Sequence, residues 1–254
     1  SGPSVLHEKA IYIVEGQLFQ VEKLDFDNRK AYVRGVECDY YTDAIDYTKV
    51  TILDEMSSEV ISEAGPAEMT SELISSAAHH GEVHVVSRVV GFKKIKFYTN
   101  ENIGSGELDL PEQQMHTSAY WLTIPAETMA QLPYGGADKR DGVMGLAFAM
   151  RNVAPLLLMC DSHDLGLSVD GVGEQEARQA PVLANVAPTI FIYDNYPGGI
   201  GFSEPLHSMH QALLAKTHEL IDGCPCQSGC PSCVGPEGAT GPLAKSVASH
   251  LLSL

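Results

Sequence analysis

The sequence predicts an α+β fold in which a small N-terminal β-meander or barrel is followed by a mixed sheet with packed helices. Three observations predict it. Short β-prone runs fill the chain from Ala10 to Leu53, helical periodicity dominates the second half, and four clustered cysteines stand between two C-terminal helical patterns. We expect these cysteines to form a four-cysteine zinc knuckle that joins the two C-terminal helices.

The same patterns divide the chain into three parts. Residues 1–54 are predicted to form the barrel-like subdomain, residues 55–81 a linker with a helical segment, and residues 82–254 the α+β zinc-binding domain. A chain of 254 residues can bury a large core as one big domain or as two modest ones.

The N-terminal subdomain is predicted from five short β-prone runs that alternate with turn residues. Glu15-Gly16 and the segment Asp25–Asn28 are the turns between the first three runs. The runs are Ile11–Val14, Gln17–Val21, Ala31–Arg34, Asp39–Thr42 and Val50–Leu53. Strands this short indicate a small meander or a barrel of SH3-like size.

The linker and the strands after it differ in composition. Glycine, proline and several serines indicate the linker, with a short helix predicted over Met69–Ala78. A long strand pair or ribbon follows over Glu82–Tyr98, with a bend expected at Gly91. Another strand is predicted over His116–Ile124, which holds the only tryptophan.

The second half of the chain reads as helices around one more strand. Apolar residues recur at i, i+3, i+4 and i+7 and predict one long buried helix: Val143, Leu146, Ala147, Met150, Val153, Ala154, Leu157 and Leu158. Pro155 should kink this helix near its C-terminal end. A buried strand is predicted over Pro188–Tyr193, a helix N-capped by Ser203 should reach Gly223, and a last helix should start at Gly241-Pro242.

The four cysteines predict a metal site. They are Cys224, Cys226, Cys230 and Cys233, in the spacing C-x-C-x₃-C-x₂-C. Zn²⁺ binds four Cys sulfurs in a tetrahedron, and Gly and Pro help a short chain to surround it. Two disulfides and a redox or iron–sulfur role are the alternatives, although Cys-x-Cys makes a strained disulfide. Four sulfur ligands leave no open position for a substrate, so the zinc is expected to be structural.

The charge balance argues against a nucleic-acid platform over the whole surface. The chain has 16 Lys and Arg against 33 Asp and Glu, a formal net charge of −17. One basic stripe remains a candidate DNA-binding site: Arg88, Lys93, Lys94 and Lys96, with Phe92, Phe97 and Tyr98 interleaved. The alternative is a solvated sheet face with its aromatic residues turned inward, which strand alternation also gives.

No catalytic centre is predicted in this chain. Neither a P-loop motif nor the motifs of zinc proteases and zinc deaminases occur. Cys160–Asp164 combines a thiol, an imidazole and carboxylates, but it equally describes a buried Cys at a helix end with capping aspartates. Tyr193–Gly201 is a Gly-rich turn that could approach a phosphate, and tight packing is the other interpretation. We interpret His207 and His210 as surface histidines.

A reducing, cytoplasmic location is expected. The chain has six cysteines, shows no signal peptide at its start, and lacks an apolar run of the roughly 20 residues that span a bilayer. No contact with a membrane is predicted.

Five ordered motifs resemble those of the C-terminal zinc-binding domain of MrfA-type DEAD/DEAH-box helicases, superfamily 2 relatives of the fungal RecQ-like repair helicases. They are Gly91–Thr99, Leu110–Leu122, Met159–Gly166, Ile190–Gly201 and Cys224–Cys233. The segment Asp39–Thr42 also resembles the region that joins the helicase core to that domain.

The resemblance implies an accessory domain of an ATP-dependent 3′–5′ DNA helicase that repairs cross-linked or mitomycin-damaged DNA. It implies zinc ligation by the same four cysteines, ATP binding only in motor domains that this chain lacks, and a bacterial, nucleoid-associated location. The partners it implies are the motor domains of the same polypeptide and DNA, either single-stranded or 3′-tailed. The same zinc domain also resembles part of scaffold subunits in bacterial phage-defence complexes, and a hydrolase built on Cys160 and the Tyr193–Gly201 loop is a third hypothesis.

Overall fold

The computed structural model of the chain describes residues 5–56, 78–99, 101–170, 187–235 and 240–254. The predicted α+β class is confirmed. Packing divides the chain into two compact units, the first made of Ser1–Lys49 with Val86–Gln114 and the second of Val50–Val85 with Met115–Leu254. The sequence-based ranges 1–54, 55–81 and 82–254 stay a prediction, and most of the predicted linker with its short helix lies outside the described residues.

The first unit contains the predicted meander. Strands β1 (Ile11–Val14), β2 (Gln17–Asp25) and β3 (Lys30–Gly35) form an antiparallel sheet in the order β1-β2-β3. Glu15 and Gly16 turn the chain between β1 and β2 with φ angles of 48° and 79°. Two successive positive φ angles are what a two-residue hairpin turn of type I′ needs, so the Glu-Gly prediction is confirmed.

Strand β4 (Tyr40–Met56) corrects one expectation. The runs Asp39–Thr42 and Val50–Leu53 were expected as two separate strands, whereas the structure has one strand of 17 residues. The intervening Ile45, Tyr47 and Thr48 keep the β propensity high, despite two aspartates that are unfavourable in strands.

Strand β5 (Ala78–Lys96) continues through Gly91, and the bend expected at this residue stays a prediction. Its C-terminal half pairs antiparallel with β6 (Asn102–Glu107) in the first unit. The sequence missed β6 because its two glycines have weak β propensity. One of them has a packing role, since a Cβ on Gly106 would lie 2.5 Å from the Phe92 ring.

The second unit is built on a sheet with the strand order β4-β5-β7-β9-β8. Strands β7 (Gln113–Thr123) and β9 (Thr189–Asp194) correspond to predicted strands, and β8 (Leu165–Asp170) was not predicted. Both β7 and β8 pair antiparallel with β9, with Trp121 opposite Phe191 and Leu167 opposite Ile192. Strands β7 and β9 are buried on both faces of the sheet, because alternate residues such as Tyr120 and Trp121 join different apolar clusters.

The helices of this unit are α1 (Ala126–Gln131), α2 (Gly136–Leu158), α3 (Ser203–Ser208), α4 (His210–Gly223) and α5 (Ala244–Ser253). The long buried helix is confirmed as α2, with Pro155 inside it. The helix predicted from Ser203 to Gly223 is instead two helices divided at Met209. Ser208 Oγ donates to the Glu204 carbonyl oxygen at 3.1 Å just before the break, a bond that often bends helices. Ser203 begins α3 rather than capping it.

Helix α2 is the core of the second unit. By length and composition alone it could cross a membrane, but half of its most apolar window is buried inside the protein, as in the core helix of a globular domain. Its buried side chains include Leu146 and Met150, which pack in one cluster with Ile190 from the sheet and Val247 from α5.

The approach of α5 to α2 depends on a glycine. A Cβ built on Gly142 would lie 2.2 Å from Cγ1 and 2.5 Å from Cβ of Val247. Val247 is fully buried and β-branched, so it cannot rotate away. Gly142 therefore sets how closely the last helix can lie against the core.

Replacement of this glycine tests the contact. Gly142→Ala should lower the free energy of unfolding by about 1–3 kcal/mol, because the added methyl overpacks the α2–α5 interface. The control is Gly223→Ala at the end of α4, where a Cβ would meet nothing within 4 Å. Urea denaturation of the zinc-loaded chain measures both, and equal stability of the two variants would contradict the contact.

Candidate zinc centre

The four cysteines of the predicted knuckle come together immediately after α4. Their Sγ atoms all lie within 4.8 Å of one another. The Cys224–Cys230 pair is 3.5 Å apart, Cys226–Cys233 3.4 Å and Cys230–Cys233 3.6 Å. Four sulfurs at about 2.3 Å from a central Zn²⁺ would be about 3.8 Å apart, so the observed geometry fits a tetrahedral zinc ion. All four thiols are free, which is contrary to the two-disulfide alternative.

The backbone of the knuckle is fixed by a lysine from the following helix. Lys245 Nζ of α5 donates to the carbonyl oxygens of Cys224 at 2.6 Å and Cys226 at 2.8 Å. The ammonium group thus ties the first two ligands to α5 without contacting the metal position. This role was missed at the sequence level, because nothing in the spacing of a helical lysine indicates a carbonyl partner about twenty residues away.

The second half of the knuckle is a tight turn packed on α2. The backbone N–H groups of Cys233 and Gly235 both donate to the Cys230 carbonyl oxygen, at 3.0 and 3.1 Å. Val234 is fully buried, and a Cβ on Gly145 of α2 would lie 3.0 Å from the Cβ of Val234. A small residue in α2 therefore makes room for the metal-binding loop.

The protein environment shifts the pKa values of two of the thiols in opposite directions. A hydrogen bond from the backbone N–H of Ser232 lowers the pKa of Cys230 to about 7, whereas burial raises the pKa of Cys233. Zinc binds thiolates, so the metal would displace protons from all four sulfurs. With every position of the tetrahedron taken by sulfur, the site can stabilise the fold but has no position for a substrate.

Removal of one ligand tests the structural role of zinc. Cys230→Ser should release the metal and lower the melting temperature, because three sulfur ligands hold Zn²⁺ poorly. Metal content per chain and thermal denaturation measure the two effects. The matched control is Cys160→Ser, which removes a free thiol outside the cluster and should keep full zinc content. An unchanged melting curve for Cys230→Ser would refute a structural metal.

Cys160 lacks the environment of a nucleophile. Burial, followed by the carboxylates of Asp164 and Asp161, raises the pKa of its thiol, whereas catalytic cysteines have lowered pKa values. Asp161 instead caps the short 3₁₀ turn Ser162–Asp164, accepting a hydrogen bond from the His163 backbone N–H at 2.8 Å. The capping interpretation accounts for this segment.

The Gly-rich turn after β9 is closed around a carboxylate of the protein itself. The backbone N–H groups of Ile200, Gly201 and Phe202 donate to Asp194 Oδ2 at 2.7, 2.9 and 3.3 Å. Ser118 Oγ donates to the same oxygen at 3.1 Å, and Asp194 is fully buried. The amides that could have bound a phosphate already have an anionic acceptor, so the turn works as a packed structural unit.

His210 corrects a prediction. It was expected on the surface, but it begins α4 with only 7% of its surface exposed. Its Nδ1 lies 2.8 Å from the Tyr120 hydroxyl, and within the described residues its Nε2 is buried without a hydrogen-bond partner. Burial lowers the pKa of His210 to about 4. The sequence signal was available, since His210 falls on the same helical stripe as Leu213 and Thr217.

The lowered pKa predicts a loss of stability in acid. Unfolded histidine titrates near pH 6.5, so between about pH 6.5 and 4 the unfolded chain binds a proton that folded His210 does not. Stability should therefore fall as the pH is lowered through this window, by about 3 kcal/mol at most from this residue.

His210→Asn, which can still hydrogen-bond Tyr120, should reduce the pH dependence of unfolding. His163→Asn is the control, because the His163 side chain is 92% exposed. Loss of zinc in acid affects all variants alike, so the difference between the variants isolates His210. Identical pH profiles for wild type and His210→Asn would contradict the assignment.

The four cations of the predicted basic stripe lie on β5 in the first unit. Arg88 is paired with Asp109, and Lys96 Nζ is 3.9 Å from Asp39 Oδ2. Lys94 Nζ lies 5.2 Å from the centre of the Tyr40 ring, and Lys93 is exposed. Strand alternation puts Lys93 on the face opposite Lys94 and Lys96.

Comparison with known proteins shows that the sequence of this chain is similar to that of parts of ATP-dependent helicases. Residues 146–234 match the model of the family described as the MrfA Zn-binding domain. The chain is 38% identical over 237 residues to an uncharacterized ATP-dependent helicase, YprA, of Bacillus subtilis, covering 93% of this chain and 28% of that protein. It is 22% identical over 231 residues to the ATP-dependent helicase HRQ1 of Saccharomyces cerevisiae, covering 90% of this chain and 20% of that protein.

Solved structures of a helicase are also similar to the structure of this chain. A crystal structure of the DUF1998 helicase MrfA bound to DNA matches with a TM-score of 0.58 and 37% identity, over 99% of this chain and 30% of that one. A second, bound to DNA and AMPPNP, matches with a TM-score of 0.52 and 33% identity, over 100% of this chain and 28% of that one. The chain thus spans less than a third of the length of the helicases that it matches.

Proposed function

We propose that this chain, which resembles MrfA-type helicases through the zinc-binding domain matched by residues 146–234, is the C-terminal accessory domain of an ATP-dependent 3′–5′ DNA helicase. In this role Cys224, Cys226, Cys230 and Cys233 hold a structural zinc ion. The helicase acts in the bacterial cytoplasm, at the nucleoid, in the repair of cross-linked or mitomycin-type damage. ATP is hydrolysed by motor domains outside this chain.

One observation carries the proposal. The similarity to the Bacillus helicase extends over 93% of this chain, far beyond the cysteine cluster, and the four sulfurs of the cluster lie within 4.8 Å of one another. A zinc knuckle alone occurs in many unrelated proteins. A knuckle built into the same sheet-and-helix scaffold as a helicase is a much more specific feature.

The charge distribution supports a DNA-guiding role for the first unit. The formal charge of −17 is very unevenly divided: the first unit has 10 Lys and Arg against 13 Asp and Glu, whereas the second has 6 against 20. The first unit is therefore close to neutral. Its segment 88–98 contains four cations and no carboxylate. Phosphate neutralisation drives DNA affinity, so this segment is the best-suited DNA contact of the chain.

The acidic second unit is suited to docking on protein. Like charges repel a phosphate backbone, which makes direct DNA binding through this unit unfavourable. In the proposal, the second unit docks on the motor domains of the same polypeptide while the first unit contacts single-stranded or 3′-tailed DNA. The alternative function, a protein-binding scaffold of a phage-defence complex, would need protein binding by the second unit but no DNA binding by the first.

Salt-dependent DNA binding distinguishes these roles. Fluorescence anisotropy of the zinc-loaded chain with labelled single-stranded and 3′-tailed DNA should show binding that weakens as salt rises. The triple variant Lys93→Glu, Lys94→Glu, Lys96→Glu should abolish this binding or, where residual binding is measurable, lower the salt slope by about 0.7 for each phosphate that is no longer neutralised.

A charge-matched triple variant controls for net charge. This control replaces three exposed lysines elsewhere in the first unit and changes the net charge by the same amount: Lys23→Glu, Lys30→Glu and Lys49→Glu. This control should retain most of the affinity. Equal losses in both triple variants would reject a localised DNA site, and no binding of wild type at low salt would favour the scaffold role.

A further inference from the structure

We propose that Tyr98 stacks on an unpaired base of single-stranded DNA while the neighbouring lysines contact its phosphates. The inference rests on the proposed DNA-guiding function and names the residue that would make it selective for single strands. Tyr98 lies in the turn that follows β5, two residues after Lys96.

Exposure separates Tyr98 from the other aromatic residues of the basic segment. Phe92 is only 2% exposed, with its ring stacked on His7 at a centroid distance of 4.9 Å. Phe97 is half-buried, with its ring 5.7 Å from that of Tyr41. Tyr98, in contrast, is 102% exposed, which is as much surface as a free tyrosine offers. Burial of such a ring against a base would remove a large apolar area from water.

The backbone presents this ring outward. Tyr98 has a φ of 68°, a left-handed conformation that is unfavourable for a bulky residue. Hydrogen bonds on both sides hold the segment: Phe97 N–H donates to the Asp39 carbonyl oxygen at 2.8 Å, and Thr99 N–H donates to the Phe97 carbonyl oxygen at 2.8 Å. Such strain persists only where the surroundings enforce it, and it often marks a binding position.

The charges around Tyr98 fit a nucleic-acid strand. Lys94 and Lys96 are on one face of β5, and Lys93 is on the other and exposed. Lys96, at the end of β5, forms an ion pair with Asp39, whose Oδ2 lies 3.9 Å from Lys96 Nζ. Cationic side chains beside one exposed ring are the usual elements of a single-strand binding surface.

The occupant is single-stranded rather than duplex DNA. Bases inside a duplex already stack on both faces, so an exposed ring at a turn gains nothing from them. An unpaired base has a free face for the ring, whatever its sequence. The inference thus predicts a preference for single strands that does not depend on base identity.

The test uses the whole zinc-loaded chain and two readouts. Anisotropy with labelled single-stranded DNA measures affinity, and a 2-aminopurine base in the same strand reports stacking through its fluorescence. Tyr98→Gly, which accepts a positive φ, should weaken single-strand binding by about tenfold and abolish the 2-aminopurine change. Tyr98→Phe keeps the ring and should retain both signals. Tyr32→Gly, which removes another exposed tyrosine of the first unit, is the control.

Each outcome decides a different claim. If Tyr98→Gly binds like wild type while the lysine triple variant does not bind, the stacking inference is wrong and the DNA-guiding proposal stands. Equal affinity of wild type for blunt duplex and single strands would also overturn the inference. If wild type binds no DNA at low salt, both claims fail together.

Discussion

The gathering of four sulfur ligands within 4.8 Å of one another is the constraint on which the second unit depends. Four thiolates at this distance would repel one another without a cation between them, so deprotonation of the cluster and metal binding are linked. The scaffold prepares for this in two ways. Lys245 fixes the carbonyl groups of the first two ligands, and α2 provides a glycine where the loop must approach closely. A metal bound by this loop would therefore link both C-terminal helices.

In the same unit, a carboxylate of the protein itself accepts the hydrogen bonds of a potential anion-binding turn. The turn after β9 aims three amides at one point, an arrangement that elsewhere receives a phosphate. Here a buried carboxylate from the end of the strand occupies that point. The amides of the turn thus have a partner without any ligand, and the turn connects β9 to α3.

Sequence reasoning succeeded where the signal is local and periodic. The meander, the long helix and the cysteine site follow from turn chemistry, 3.6-residue spacing and ligand chemistry, all of which are encoded within a few residues. It failed where contacts between residues far apart in the sequence determine the structure. Strand β6 is stabilised by a phenylalanine ring that lies over its glycine, and His210 is buried because Tyr120 lies opposite it. Lys245 belongs to the zinc centre only through the folded position of α5. The β6 and Lys245 contacts have no pattern along the chain, whereas the burial of His210 was indicated by the helical stripe that it shares with Leu213 and Thr217.

The link between Lys245 and the knuckle means that a bound metal would help to hold helix α5 in place. Helix α5 carries buried apolar residues such as Val247 and Leu251, and its attachment runs through the ligand-bearing backbone. A newly synthesised chain that has not acquired zinc would leave this apolar stripe insufficiently covered. Chaperones and proteases act on such surfaces in incompletely folded proteins. The abundance of the protein would then follow the zinc supply of the cell.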